Sequence, residues 1–126
     1  MIFAFRADAS LEIGSGHIIR CLTLANALKL AGHDCFFICR NHKGNLINYL
    51  KSLQWEVLEL PVLQPSKVTG FINNSGYLNW LGTTEAEDAQ DTLNSLSKHH
   101  IQHIDWLIVD HYALSAEWEQ TLRNVV

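Results

Sequence analysis

The residues best suited to chemistry run from Asp8 to Arg20, as Asp-Ala-Ser-Leu-Glu-Ile-Gly-Ser-Gly-His-Ile-Ile-Arg, and recur at Asp110-His111-Tyr112. Around Ser15, Gly14 and Gly16 lack the Cβ that would keep a ligand from the main chain. A helix starting near His17 turns unpaired N–H groups and the positive end of its dipole toward the same spot, which suits anions and polar sugars. That dipole disfavours a protonated imidazole at His17, and a neutral imidazole can take a proton. The bland alternative for His17 is a capping or surface residue. Arg6 and Arg20 could bind phosphate or carboxylate, or could pair with Asp8 or Glu12. Asp8 and Ser10 either meet a ligand or hold the loop through main-chain hydrogen bonds. Gly14 and Gly16 could simply make a tight turn, and the third glycine of a dinucleotide fingerprint is missing. Asp110 and His111 do not suggest a serine triad, because adjacent strand residues point to opposite faces and no elbow serine precedes them.

Other clusters carry less. His99 and His103 have the four-residue spacing of helical metal ligands, but with no cysteine nearby and Asp105 as the sole close carboxylate they read as a solvated helix end. Cys21, Cys35 and Cys39 read as buried free thiols, with Cys35 and Cys39 on one face of a strand. Neither a metal nor a cofactor is expected. Trp55, Trp80, Trp106 and Trp118 read as core or rim packing, with Trp80, in a long loop, the candidate for stacking on a sugar.

The elements that must position these residues follow from hydrophobic pattern. Ile2 to Arg6 is a short apolar run fit for a central strand, and His17 to Ala31 carries Ile18, Leu22, Ala25 and Leu28 at helical spacing up to Gly32. Cys35 to Cys39 predicts a second strand, Leu46 to Leu53 a short helix, and Trp55 to Leu60 a third strand stopped by Pro61. Pro61 to Thr84 reads mostly as loop, with Asn79-Trp80-Leu81 packing locally. Thr84 with Glu87 resembles a capping box opening a helix to about Lys98, whose inner face is Ala86, Ala89, Leu93 and Leu96. Ile104 and Trp106 to Val109 make the fourth strand, and a last helix from about Ser115 places Trp118, Leu122 and Val125 on one side. Such alternation predicts an α/β fold, a Rossmann-like parallel sheet with helices on both faces. Ligands of such sheets bind beyond the carboxyl ends of the strands, where the order reverses. The loops after strands one and four are expected to share that cleft.

A chain of 126 residues, 48% of them hydrophobic, suits one domain spanning 1–126. The net charge of −4 and the lack of a Lys/Arg run argue against nucleic acid or an anionic membrane surface as partner. No stretch reaches the ~18 apolar residues of a membrane span, and no basic region precedes the first apolar run. A cytoplasmic location is expected. The last helix runs into Val125-Val126, and by the crossover rule it should lead to a further parallel strand, so the chain is expected to be truncated.

Together, Arg6-Ala7-Asp8-Ala9-Ser10, Ile13-Gly14-Ser15-Gly16-His17, Arg20-Cys21-Leu22-Thr23-Leu24-Ala25, Trp80-Leu81-Gly82 and Val109-Asp110-His111-Tyr112 with Trp118-Glu119 carry a family resemblance. Over nearly its whole length the chain resembles the N-terminal domain of the UDP-2,4-diacetamido-2,4,6-trideoxy-β-L-altropyranose hydrolases of pseudaminic acid biosynthesis. These are similar to glycosyltransferases of the two-domain GT-B fold. The resemblance implies hydrolysis of a UDP-linked sugar with inversion, for glycans of bacterial flagella and surfaces. It maps the family's catalytic histidine onto His17, as general base, and its substrate-contacting tyrosine onto Tyr112. Asp110 could orient a ring or a sugar hydroxyl, and Arg6, Asp8, Ser10, Gly14, Ser15, Gly16 and Arg20 fall on the substrate side of the cleft. It also implies that UDP is held mainly by a C-terminal domain absent from these residues, so that the chain alone is expected to turn over little. An exposed interdomain face could cause self-association. The alternatives are a glycosyltransferase with the same site and a non-catalytic sugar-binding or structural module.

Overall fold

The computed structural model describes residues 1–61 and 78–126. Four strands, β1 (Ile2–Ala7), β2 (Asp34–Arg40), β3 (Glu56–Leu60) and β4 (Trp106–Asp110), form one sheet in the order β3-β2-β1-β4, all parallel. The helices are α1 (Gly16–Leu30), α2 (Ile47–Ser52), α3 (Leu78–Leu81), α4 (Glu85–Lys98) and α5 (Ala116–Leu122). This is the expected Rossmann-like α/β arrangement. The expectation of a loop between Pro61 and Thr84 falls largely outside the described residues; at its end, Asn79-Trp80-Leu81 lies within α3.

Apart from Arg6 in β1 and the ends of β2, Asp34 and Arg40, the central strands are apolar, because both faces of the sheet are covered. Alternate side chains divide between two cores. Phe5, Phe37 and Cys39 pack with Ile18, Ala25, Leu50 and Trp55 on the α1 and α2 face. Ala4, Phe36, Ile38 and Leu58 pack with Ala89, Leu96, Trp118 and Leu122 on the α4 and α5 face. Phe5 stacks on Phe37 at 5.2 Å, and Phe37 meets Trp55 edge-on at 5.6 Å. β4 is an edge strand, and Trp106, expected in core or rim packing, is 58% exposed there.

The helices α1, α2 and α4 each end in a residue with positive φ. Gly32 does so after α1, and the non-glycine residues Gln54 (φ 69°) and His100 (φ 59°) do so after α2 and α4. In each case a later N–H returns to the last turn: His33 to the Leu28 carbonyl, Trp55 to Leu50 and Ile101 to Leu96.

The inner face of α4 differs from expectation. Ala89 and Leu96 are buried, but Ala86 is exposed and Leu93 only half-buried, while Asp88, Thr92 and Ser95 turn inward. The helix is rotated because Asp88 meets two buried arginines, described below. Its start is also only half a capping box: Thr84 Oγ1 accepts the Glu87 N–H, whereas the Glu87 carboxylate accepts from the Thr83 hydroxyl.

Strand order places the site. From β1 the chain steps outward through β2 to β3 with its helices on one face, then returns by way of α4 on the other face to set β4 beside β1. The reversal lies between β1 and β4, and Ala7 stands opposite Asp110 in the ladder. A cleft opens at the carboxyl end of such a switch.

Candidate active site

The loop after β1 folds on itself. The Ser10 carbonyl accepts the Gly14 N–H at 2.9 Å, and Ser10 Oγ accepts the N–H groups of Ile13 at 2.9 Å and Glu12 at 3.2 Å. Gly14 has φ +80°, a backbone state that costs residues with a Cβ. The loop is held from outside by the Leu11 N–H bonded to the Lys43 carbonyl at 3.1 Å. Ser15 caps α1 in position only, making no side-chain capping bond.

His17 is the second residue of α1 and is buried. Its Nδ1 lies 2.7 Å from Asp110 Oδ1, at the end of β4. Arg20, one turn further along α1, donates to the same carboxylate through Nε to Oδ2 and Nη2 to Oδ1, both at 2.6 Å. Its Nη2 is also 3.2 Å from Nδ1 of His17. A guanidinium only donates and a carboxylate only accepts, so the shorter contact puts the proton on Nδ1. In the neutral ring the lone pair is then on Nε2. Hydrogen bonds from Arg20, joined by those from His17, hold the Asp110 carboxyl down to about 2, against the opposing effect of its burial. Asp110 is therefore ionised at neutral pH and keeps the ring in one tautomer. The Cys21 thiol approaches Asp110 at 3.8 Å and is pushed up to about 12 by burial and by that carboxylate, which leaves it protonated.

Aromatic rings wall this pair. Tyr112, 60% exposed, meets the His17 ring edge-on with centroids 4.9 Å apart, and Trp80 of α3 lies 6.2 Å from Tyr112.

Beneath the pair lies a charged network whose centre, Arg6, Asp8 and Asp88, is shut off from solvent. Arg6 donates to Asp8 at 2.7 and 3.1 Å and to Asp88 at 2.7 and 3.2 Å. Arg40 donates from Nη2 to Asp88 and Asp91, both at 2.9 Å, and from Nη1 to the Pro61 carbonyl at 2.8 Å. Asp88 also accepts the Trp118 indole N–H at 2.9 Å. Asp8 further accepts the Arg40 backbone N–H at 2.7 Å and is reached by Nε2 of His111 at 3.1 Å and of His42 at 3.3 Å. Burial works to raise the Asp8 and Asp88 carboxyls, but Arg6 with His111 and His42 holds Asp8 well below the usual range, and Arg6 with Arg40 lowers Asp88. Arg6, Asp8 and Asp88 are fully buried.

The expected residues thus divide. His17, Arg20, Asp110 and Tyr112 come together at the mouth of the switch point, and Arg20 pairs with Asp110 rather than with Glu12. Arg6 and Asp8, expected on the substrate side, are instead sealed beneath it and engaged with each other, because two charges this deep are stable only when paired. Ser10 holds its loop through main-chain bonds. Gly14, Ser15 and Gly16 are exposed on that loop, and a Cβ at Gly14 or Gly16 would have nothing within 4 Å. The sequence reading missed Asp88, Arg40 and His42. Asp88 had a signal: it adjoins Ala89 in the apolar stripe of a helix, where a lone carboxylate needs a buried cation.

Cys21, Cys35 and Cys39 are free, with Cys35 half-buried and the other two buried. His99, His100 and His103 are exposed, and His99 Nδ1 bonds the Ser95 carbonyl at the end of α4. Among the described residues no group of three His, Cys, Asp or Glu could hold a metal ion, and no helix is long and apolar enough to cross a membrane.

No family model matches the chain, and no curated protein matches it. The fold and the site define an α/β protein with a Rossmann-like parallel sheet whose switch point carries a carboxylate-oriented histidine.

Proposed function

We propose that the chain is the N-terminal half of a GT-B-type nucleotide-sugar hydrolase, which releases UDP and a 2,4-diacetamido-2,4,6-trideoxy sugar in pseudaminic acid biosynthesis in the bacterial cytoplasm. The observation that carries this reading is the 2.7 Å contact from His17 Nδ1 to Asp110, which makes Nε2 the proton acceptor at the switch point. The sequence motifs described above supply the substrate class.

In this mechanism Nε2 of His17 draws a proton from a water as the water oxygen bonds to the anomeric carbon. The bond from that carbon to the phosphate oxygen breaks, and its electron pair leaves with UDP on the opposite face, inverting the centre. UDP is a good leaving group, so the step demands no strong protein acid. Asp110 stabilises the imidazolium that forms, and the proton then passes to solvent. Arg20 keeps Asp110 ionised and in place. Tyr112 and Trp80 offer aromatic surface to the sugar beside the base. A second domain beyond these residues holds most of the UDP.

The test is UDP release by the full-length protein. His17→Ala should lower the rate by roughly two orders of magnitude or more with the fold intact, as loss of a general base does. Asp110→Asn should also lower it, because an amide N–H facing Nδ1 reverses the tautomer. Equal release by wild type and His17→Ala would refute the assignment of the base. Release to an added acceptor in preference to water would favour a transferase, and robust turnover by the 126-residue chain alone would refute the two-domain reading.

A further inference from the structure

Tyr112 is exposed and sits on a turn, yet its ring stands in a defined edge-on contact with His17. Arg20 bonds the Tyr112 side chain, and the turn that carries it is held by the residue before it. His111 is buried, its Nε2 lies 3.1 Å from Asp8 Oδ2, and its Nδ1 lies 3.1 Å from the Ala113 backbone nitrogen. The Ala113 N–H can only donate and the ionised Asp8 can only accept, so His111 is neutral with its proton on Nε2. Both ring nitrogens are engaged, Nδ1 within the turn that carries Tyr112 and Nε2 at the end of β1. The Leu114 N–H bonds the His111 carbonyl at 3.2 Å and closes the turn. Asp8 is itself fixed by Arg6 and by the Arg40 backbone, so the turn after β4 is tied to the ends of β1 and β2.

We infer that His111 is a positioning residue: bound to the buried Asp8 carboxylate through Nε2, it clamps the 111–114 turn so that Tyr112 buttresses the His17 ring. The clamp explains why a histidine that faces away from the cleft stands between two residues that face it. Its bearing on catalysis rests on the hydrolase reading, but the clamp itself can be tested without turnover.

Two amides separate the two halves of the clamp. In His111→Asn the side-chain oxygen can still accept the Ala113 N–H two residues on, but the side chain is too short to reach Asp8. In His111→Gln the amide N–H extends to where Nε2 stood. The first readout is the NMR spectrum of the His17 imidazole in the 126-residue chain, with Tyr112→Leu defining the ring-current shift that Tyr112 imposes. His111→Asn should lose that shift and His111→Gln should keep it. The second is UDP release by the full-length protein, where His111→Asn should lower kcat about tenfold or more with KM within about twofold, and His111→Gln should restore most of it. A His17 spectrum unchanged in His111→Asn, or disturbed equally in both variants, would overturn the inference. So would an unchanged kcat in His111→Asn in an active protein. No UDP release by wild type would count against the hydrolase reading alone, and the imidazole spectra would still decide the clamp.

Discussion

Replacing Asp88 by asparagine should remove a large part of the stability of this domain. The carboxylate is fully buried and accepts four hydrogen bonds, two from Arg6, one from Arg40 and one from the Trp118 indole. An asparagine side chain keeps one acceptor oxygen and turns an NH2 group toward donors, so at least one guanidinium contact becomes donor against donor. Two buried arginines would then share Asp8 and the partly exposed Asp91 as their remaining counter-charges. Breaking a buried ion pair from one side costs about 3–5 kcal/mol, because the partner is left charged and undersolvated. Against a typical total of about 5–15 kcal/mol, this is a large fraction. Asp91→Asn, at the accessible edge of the same network, should cost about 1 kcal/mol or less. Urea unfolding followed by circular dichroism would measure both, with the slopes checked for equality. A loss below about 1 kcal/mol for Asp88→Asn, or equal losses for the two variants, would refute the view that Asp88 is the counter-charge that anchors α4 to the sheet.

Further consequences can be checked separately. Asp8, Asp88 and Asp110 are more acidic in the fold than the ~3.9 of an unfolded aspartate. Their stabilisation is thus complete above that value and lost as pH falls through the folded pKa. Melting followed by circular dichroism should be insensitive to these groups above about pH 5 and should weaken steeply below about pH 4, with Asp110 protonating near about 2; constant melting down to pH 2.5 would contradict this. Burial raises the thiols of Cys21, Cys35 and Cys39, so iodoacetamide at pH 8 should label the native chain far more slowly than the urea-unfolded chain, Cys21 and Cys39 slowest of all. Gly44→Ala should destabilise more than Gly14→Ala. Both positions have positive φ, but a Cβ at Gly44 would stand 2.9 Å from the Leu11 backbone nitrogen, whereas one at Gly14 would have nothing within 4 Å. Equal urea midpoints for the two variants would count against the packing of the 43–44 turn on the first loop.

Much of the fold was legible because pattern and position agreed. Uninterrupted apolar strands, helical spacing from Ile18 to Leu28 and Gly32 after it, and the Thr84 cap each act within a few residues, and local physics decided them. The pairing of β4 with β1 followed from the alternation of elements, and with it the meeting of the two marked loops. What the sequence hid depends on distant partners. Nothing near Arg6 shows that it will bond to a residue 82 positions away, and the inward turn of Asp88 outweighed the apolar claim of Ala86. Gln54 and His100 end helices without the usual glycine, because packing after the turn compensates a modest backbone strain. At the site, residue types marked His17 and Asp110. Only geometry showed that Arg20 serves Asp110 and that His111 turns inward to Asp8.

The most direct test of the central claim is hydrolysis of the UDP-linked diacetamido sugar by the full-length protein in water enriched in oxygen-18. Attack at the anomeric carbon by water activated at His17 predicts one heavy oxygen in the C1 hydroxyl of the released sugar and none in UDP. Label in the UDP phosphate, or intact substrate after long incubation, would contradict the account.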